Sequence, residues 1–381
     1  MRRKLFAEVA GHFRVVGFSV AIALCGPSSL ALANGTPPPE SVATDQTSAQ
    51  EVVAYPQLTA DFNPISASDA DLGQYGFPPR PDAQSAPDEY AHWKKLVSVP
   101  RVANPKLQQT TIYNGPVQGL SVGQTLHNGA ASALSYNWSG YAVTAGKGTF
   151  KKNMSAIYAQ WVVPVAQQSF GVCNGIWDYS SQWTGLDGFN SNDVLQAGTE
   201  VDAYCSGGTT STFYSAWIEW YPNDETRVSA PAVQPGDLMG EEVWYTTASP
   251  NGNAFIANFT LNQSDSYAFS LPPSATYVGN SAEWVVERPG IGGPGFADLT
   301  NYVADPFNID YATNVKSKFY PGKSPGGTKR YAITMVCDDT TAGSWTPGSA
   351  CLTTTAISIP ELYGVGTPWF YDAGPAYGSG L

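Results

Sequence analysis

The chemistry open to this chain is set by where its histidines, cysteines and carboxylates fall. The three histidines are His12, His92 and His127, and none lies in residues 131–381. That part therefore has no Ser–His or Cys–His nucleophile and no His-ligated catalytic zinc. Carboxylate and amide chemistry remain. Asp and Glu serve as acid and base most readily in acidic surroundings, where one carboxyl can stay protonated. A paired-aspartate site on Asp-Thr-Gly or Asp-Ser-Gly loops is excluded, since neither tripeptide occurs and Asp187-Gly188 lacks the intervening residue. Glu219 shares strand parity with Trp217 and Tyr221, so it is either a solvent-facing strand residue or a perturbed acid in a cleft. Glu283 and Glu287 also share parity, with backbones about 13 Å apart on a regular strand. Glycosidase carboxyls need about 5–9.5 Å, so Glu283 reads as a structural or rim residue. Taken alone, Gln196 reads as a strand-rim amide and Asp187 as a turn residue.

The elements that must position these groups are short strands. The sequence has 38 Gly, 29 Pro, 13% aromatic and 13% charged residues, a mix that suits strands joined by tight turns. Strand-like stretches cover 137–143, 157–164, 212–221, 238–246, 254–261, 283–287 and 331–337, broken by Pro-Gly-Asp and Pro-Asn-Gly turns. With no helical period and no repeats, the expected fold is all-β, an antiparallel sandwich or barrel. The net charge of -12 argues against a nucleic-acid partner. Residues 1–33 form a signal peptide: a basic start, an apolar run too short to span a membrane, and Ala31-Leu32-Ala33 as cleavage site. Residues 34–130 read as a propeptide or linker, partly disordered, carrying the basic residues Arg80, Lys94, Lys95, Arg101 and Lys106 ahead of the acidic domain 131–381. Cys25 leaves with the signal. Cys173, Cys205, Cys337 and Cys351 allow three disulfide pairings, of which the local one, 173 with 205 and 337 with 351, is preferred. The spacings suit zinc poorly. The tail after Glu361 has no placement.

Several stretches, in order, resemble the glutamic peptidases (eqolisins). They are Asn137-Trp138-Ser139-Gly140, Trp161-Val162-Val163-Pro164, Trp183-Thr184-Gly185-Leu186-Asp187-Gly188, Val194-Leu195-Gln196-Ala197-Gly198, Trp217-Ile218-Glu219-Trp220-Tyr221-Pro222, Val233-Gln234-Pro235-Gly236-Asp237 and Ala282-Glu283-Trp284-Val285-Val286-Glu287. Each is short; their shared order over about 136–290 is specific. The resemblance implies a sandwich of two curved antiparallel sheets with the site on the concave face. It implies Gln196 and Glu287 as a catalytic dyad without cofactor or metal, and Trp138, Trp183, Asp187 and Glu219 as cleft-lining or orienting neighbours. The implied protein is a secreted, monomeric acid endopeptidase acting on proteins or peptides. It would be made as a prepro form with its own propeptide as inhibitor, and be free of the membrane once the signal is removed. Two departures stand out. Glu200 occupies a position where fungal members usually carry Asp, and Arg288-Pro289 follows Glu287 where they usually carry Asp-Phe. Read without the resemblance, aromatic-rich strands also fit a sugar-binding or sugar-cleaving sandwich, with Glu219 and Glu287 as its carboxylates, or an adhesion module with no active site.

Overall fold

The computed structural model describes residues 35–42, 51–145, 154–168, 173–292, 295–314, 317–336 and 356–372. Residues 1–33, expected from sequence to be a signal peptide, lie outside the described residues, as do Cys337, Cys351 and the last residues of the tail.

Two sheets form a sandwich. In the first, neighbouring strands run Lys329–Val336, Trp138–Thr144, Ser281–Glu287, Ser181–Leu186, Val194–Ser206, Thr209–Tyr221, Thr226–Val228 and Leu107–Gln109. In the second they run Val52–Ala54, Gln263–Phe269, Gly252–Asn258, Leu238–Tyr245, Ala156–Val162 and Ala304–Thr313. All these pairs are antiparallel. One parallel pair joins the first sheet, where Ala131–Ser135 lies beside Lys329–Val336. The tail contributes Ala356–Leu362 and Pro368–Asp372, and the latter pairs with the start of Ala304–Thr313.

Period-two alternation explains why each strand lies where it does. On the first sheet Leu195, Ala197, Val201, Ile218 and Val286 point inward. They meet Ile157, Ala159, Met239, Val243 and Ile256 from the second. Side-chain hydrogen bonds also tie the sheets through this core: Thr184 Oγ1 donates to Glu241 at 2.8 Å, Trp161 Nε1 to Thr199 at 3.0 Å and Trp284 Nε1 to the Tyr158 carbonyl at 3.2 Å. The opposite parity of the first sheet puts Gln196, Glu219, Glu283 and Glu287 together on its outer face. Cys173 and Cys205 form a disulfide.

Two helices stand where the sequence suggested no helical period, Asp69–Gln74 and Pro87–Val97. Their end signals were present: a Ser68–Asp71 capping box, Pro87 in the first turn, Asp88 and Glu89 at the start, Lys94 and Lys95 at the end. The helices cover the outer face of the second sheet. Leu72, Phe77, Trp93 and Leu96 pack there on Tyr158, Trp244, Phe255 and Tyr311. Of the basic residues of this segment, Arg101 pairs with Asp265 at 2.9 Å and Lys95 lies 4.2 Å from the centroid of the Phe259 ring, while the Glu89 to Lys318 pair at 2.5 Å runs in the reverse sense. These polar contacts join the apolar ones already described.

Under these helices Glu242 is buried, and burial alone pushes its pKa up to about 8. A carboxyl whose folded pKa is raised favours folding in acid and costs stability as pH rises from its ordinary value toward the raised one. The stability difference between Glu242→Gln and wild type should therefore grow by about 3 kcal/mol in favour of the variant from pH 4 to pH 7. Denaturant titrations at the two pH values check this; an unchanged difference would contradict it.

Candidate active site

Three neighbouring strands of the first sheet supply the site. Ser181–Leu186 lies in the middle, with the Gln196 strand on one side and the Glu287 strand on the other. Gln196 is directly opposite Glu219 on the next strand outward. Glycine makes the middle of this face passable for large rings. A Cβ at Gly198 would come within 2.7 Å of the Trp183 Cβ and 2.9 Å of the Trp217 ring.

Glu287 is fully buried, and its carboxylate is met by N–H donors from three side chains. Asn137 Nδ2 donates to Oε1 at 2.8 Å. Trp183 Nε1 and Trp138 Nε1 donate to Oε2 at 3.0 and 3.1 Å. The Trp138 and Trp183 rings meet edge to face, 5.1 Å between centroids, which fixes both N–H vectors. Burial pushes the Glu287 pKa well above the carboxylate range; Asn137, Trp183, Trp138 and the Gly115 backbone N–H pull against it. Asn137 was not singled out from sequence, although it opens the Asn-Trp-Ser-Gly motif.

Gln196 Nε2 donates to Glu219 Oε2 at 3.2 Å and to the backbone carbonyl of Asn114 at 2.5 Å. Its Oε1 is buried with no hydrogen-bond partner among the described residues. That atom is a free acceptor beside the carbonyl that Nε2 holds. Glu219 is buried in the cleft and not on a solvent face. Its pKa is raised chiefly by burial and further by the charges of Glu225 and Glu287.

Asp187 serves elsewhere. At φ 70° it turns the chain after Leu186, and its carboxylate accepts backbone N–H bonds from Val278, Gly279 and Asn280 at 2.7–2.8 Å. It fastens the loop that leads into the Glu287 strand, away from Gln196 and Glu287. Its pKa too is raised by burial. Glu283 is buried on the same face, and not at a rim. Glu200 takes a two-point pair with the buried guanidinium of Arg227, at 2.6 Å to both Nε and Nη2. Such a fork matches a carboxylate in geometry and is costly to break once buried. Among the described residues no cluster of His, Cys, Asp and Glu could hold a metal ion.

Residues 112–118 cross this face, which sequence reasoning did not foresee. Asn114 N donates to both Glu219 oxygens at 3.1 and 2.9 Å, and Asn114 Nδ2 reaches Glu219 at 3.1 Å and Glu225 at 3.2 Å. The Gly115 carbonyl accepts from Trp138 Nε1 at 3.0 Å, and the Pro116 carbonyl from Asn137 Nδ2 at 3.2 Å. Gln196 thus holds the C=O of the Asn114–Gly115 peptide group, while the N–H of the same group faces Glu287.

Residues 136–332 match the family model described as the Peptidase A4 family. Aspergillopepsin-2 of Aspergillus niger is 32% identical over 168 residues, which is 40% of this chain and 56% of that protein, so the chain spans about half the length of this curated relative. Scytalido-glutamic peptidase with a transition state analog inhibitor superposes with a TM-score of 0.45 at 22% identity, covering 62% of this chain and 98% of that one. Aspergilloglutamic peptidase from Aspergillus niger superposes with a TM-score of 0.39 at 22% identity, covering 51% and 99%. The family match takes in more than half of the chain, including Asn137, Trp138, Trp183, Gln196, Glu219 and Glu287, and on that ground the chain belongs to the peptidase A4 family.

Proposed function

We propose that this protein is a secreted acid endopeptidase in which Gln196 and Glu287 activate water without a covalent intermediate. The observation that carries the reading is the single peptide group held between the two side chains, its oxygen on Gln196 Nε2 and its N–H toward Glu287. Any peptide bound in the same way would be polarised at the carbonyl and provided with a proton donor at the leaving nitrogen.

Glu287 as carboxylate takes a proton from water while the water oxygen attacks the carbonyl carbon. Gln196 Oε1 accepts the second water proton as a hydrogen bond and so orients the nucleophile. Nε2 stabilises the oxyanion that forms on the carbonyl oxygen. Protonated Glu287 then gives its proton to the amine as the C–N bond breaks. Glu219 acts as a positioning residue, because its acceptor on Nε2 fixes which end of the Gln196 amide faces which atom. The many buried carboxyls with raised pKa values, among them Glu219, Glu241, Glu283 and Asp305, favour an acidic working environment. Export by residues 1–33, a monomeric precursor and inhibition by the N-terminal segment complete the reading.

Gln196→Ala and Glu287→Gln should each lower kcat on a protein substrate by about 100-fold or more, with circular dichroism unchanged and wild-type activity insensitive to pepstatin. Full activity in both variants would refute the dyad. Trp183→Phe tests the tuning of Glu287. Loss of one N–H donor destabilises the carboxylate and raises its pKa. Since the base must be ionised in the free enzyme, the acidic limb of the kcat/KM profile should move to higher pH. An acidic limb that stays in place would show that Trp183 does not tune the base.

A further inference from the structure

We propose that Glu225 selects the substrate: it favours peptides whose residue on the acyl side of the cut bond carries an N–H donor, asparagine first, and this rests on the peptidase reading above.

Residues 112–114 occupy the acyl side of the dyad as a substrate would. The Asn114 carbonyl is held by Gln196 Nε2, so the Asn114 side chain stands where that of the residue before the cut bond would stand. It is fully buried, and its Nδ2 donates to Glu219 Oε2 at 3.1 Å and to Glu225 Oε2 at 3.2 Å. Its Oδ1 meets no donor among the described residues. The surroundings therefore offer acceptors, and they read the nitrogen of the amide and not its oxygen.

Several contacts put Glu225 in this place. The strand Thr226–Val228 pairs with Thr209–Tyr221 as far as Thr226 opposite Ile218, so Glu225 and Glu219 come next on the two strands. The Glu225 N–H donates to the Ile112 carbonyl at 2.8 Å, and the Glu225 carbonyl accepts from Thr110 N at 3.3 Å. One residue thus holds the backbone two positions ahead of Asn114 and the side chain of Asn114 itself. At the other end of its carboxyl, Glu225 Oε1 lies 3.7 Å from Arg227 Nε, and Arg227 is clamped in turn by Glu200. Oε2 is left turned to the acyl residue. Glu219 has a second task on Gln196, whereas Glu225 has no part in the dyad chemistry described above.

The chemistry of the pair favours a neutral donor. Burial raises the pKa of both Glu219 and Glu225, so in acid both carboxyls are uncharged and an amide suits them. Leucine has nearly the shape of asparagine but no N–H, and would leave buried acceptors without a partner. Aspartate would bring a further acid against two others.

The test compares peptides of one sequence that differ only in a central Asn, Leu or Asp, together with an unrelated denatured protein whose cut sites are mapped by mass spectrometry. Each is given to the full chain as wild type, Glu225→Leu and Glu225→Ala, at the acidic pH where wild type hydrolyses the denatured protein fastest. In wild type, kcat/KM for cutting after Asn should exceed that after Leu or Asp by about 10-fold or more. In Glu225→Leu the Asn-to-Leu ratio should fall by about 10-fold, and Glu225→Ala carries the comparison where the leucine variant does not fold. A ratio is read because a general loss of stability lowers both rates alike and does not move it. A denatured protein that is hydrolysed with no excess of Asn before the cut bonds, or an Asn preference that persists in the Glu225 variants, overturns the proposal and leaves the peptidase reading standing. A denatured protein that wild type leaves intact overturns both.

Discussion

Glu287 is fully buried, yet the proposed mechanism requires it to hold a negative charge. A lone carboxylate in such a place would be neutralised by a pKa shift. Here three side-chain N–H groups converge on it, from Asn137, Trp138 and Trp183. Hydrogen bonds to a charged acceptor contribute about 1.5–3 kcal/mol each; they offset part of the desolvation penalty, and burial still leaves the Glu287 pKa raised. Much of the surrounding architecture serves to keep those donors in place.

The two indole donors need ring space on a strand surface, and glycines provide it, Gly185 and Gly198 beside Trp183 and Gly188 beside Trp138. The strand that carries Glu287 is entered through a loop held by Asp187, so a residue distant from the dyad fixes the start of the strand that bears it. Gln196 is oriented from the other side by Glu219, its cross-strand neighbour. Beneath the face, alternate residues of the same strands fill the core against the second sheet. The N-terminal segment then wraps the whole: its helices cover the second sheet through apolar contact, and residues 112–118 lie across the site.

The all-β class and about half of the strands in the two sheets were legible in the sequence, because those strands alternate and are punctuated by Gly, Pro and Asp. The stretches at 137–143, 212–221, 238–246 and 283–287 lie within a few residues of the observed strands. Strands such as Ala304–Thr313 were not legible; it switches partners between Ala156–Val162 and Pro368–Asp372, a property of tertiary context and not of local pattern. The helix Pro87–Val97 was marked in the sequence only by Pro87 in its first turn and by its end charges. Asn137 and Asn114 escaped notice because a lone Asn most often means a turn; both act here through long-range hydrogen bonds that no local spacing reveals. Parity placed Glu219, Glu283 and Glu287 correctly as strand residues on one side each. It did not show that the Glu219 face and the face shared by Glu283 and Glu287 are one, because inter-strand register is set by the whole sheet.

The most direct measurement is a crystal structure of the full chain carrying Glu287→Gln, which keeps the shape of the side chain and removes its ability to take a proton. The account predicts the Asn114 carbonyl within hydrogen-bonding distance of Gln196 Nε2, with the side chain at 287 beside the Gly115 N–H. Residues 112–118 lying away from this face, with Gln196 and residue 287 sharing no peptide group, would contradict it.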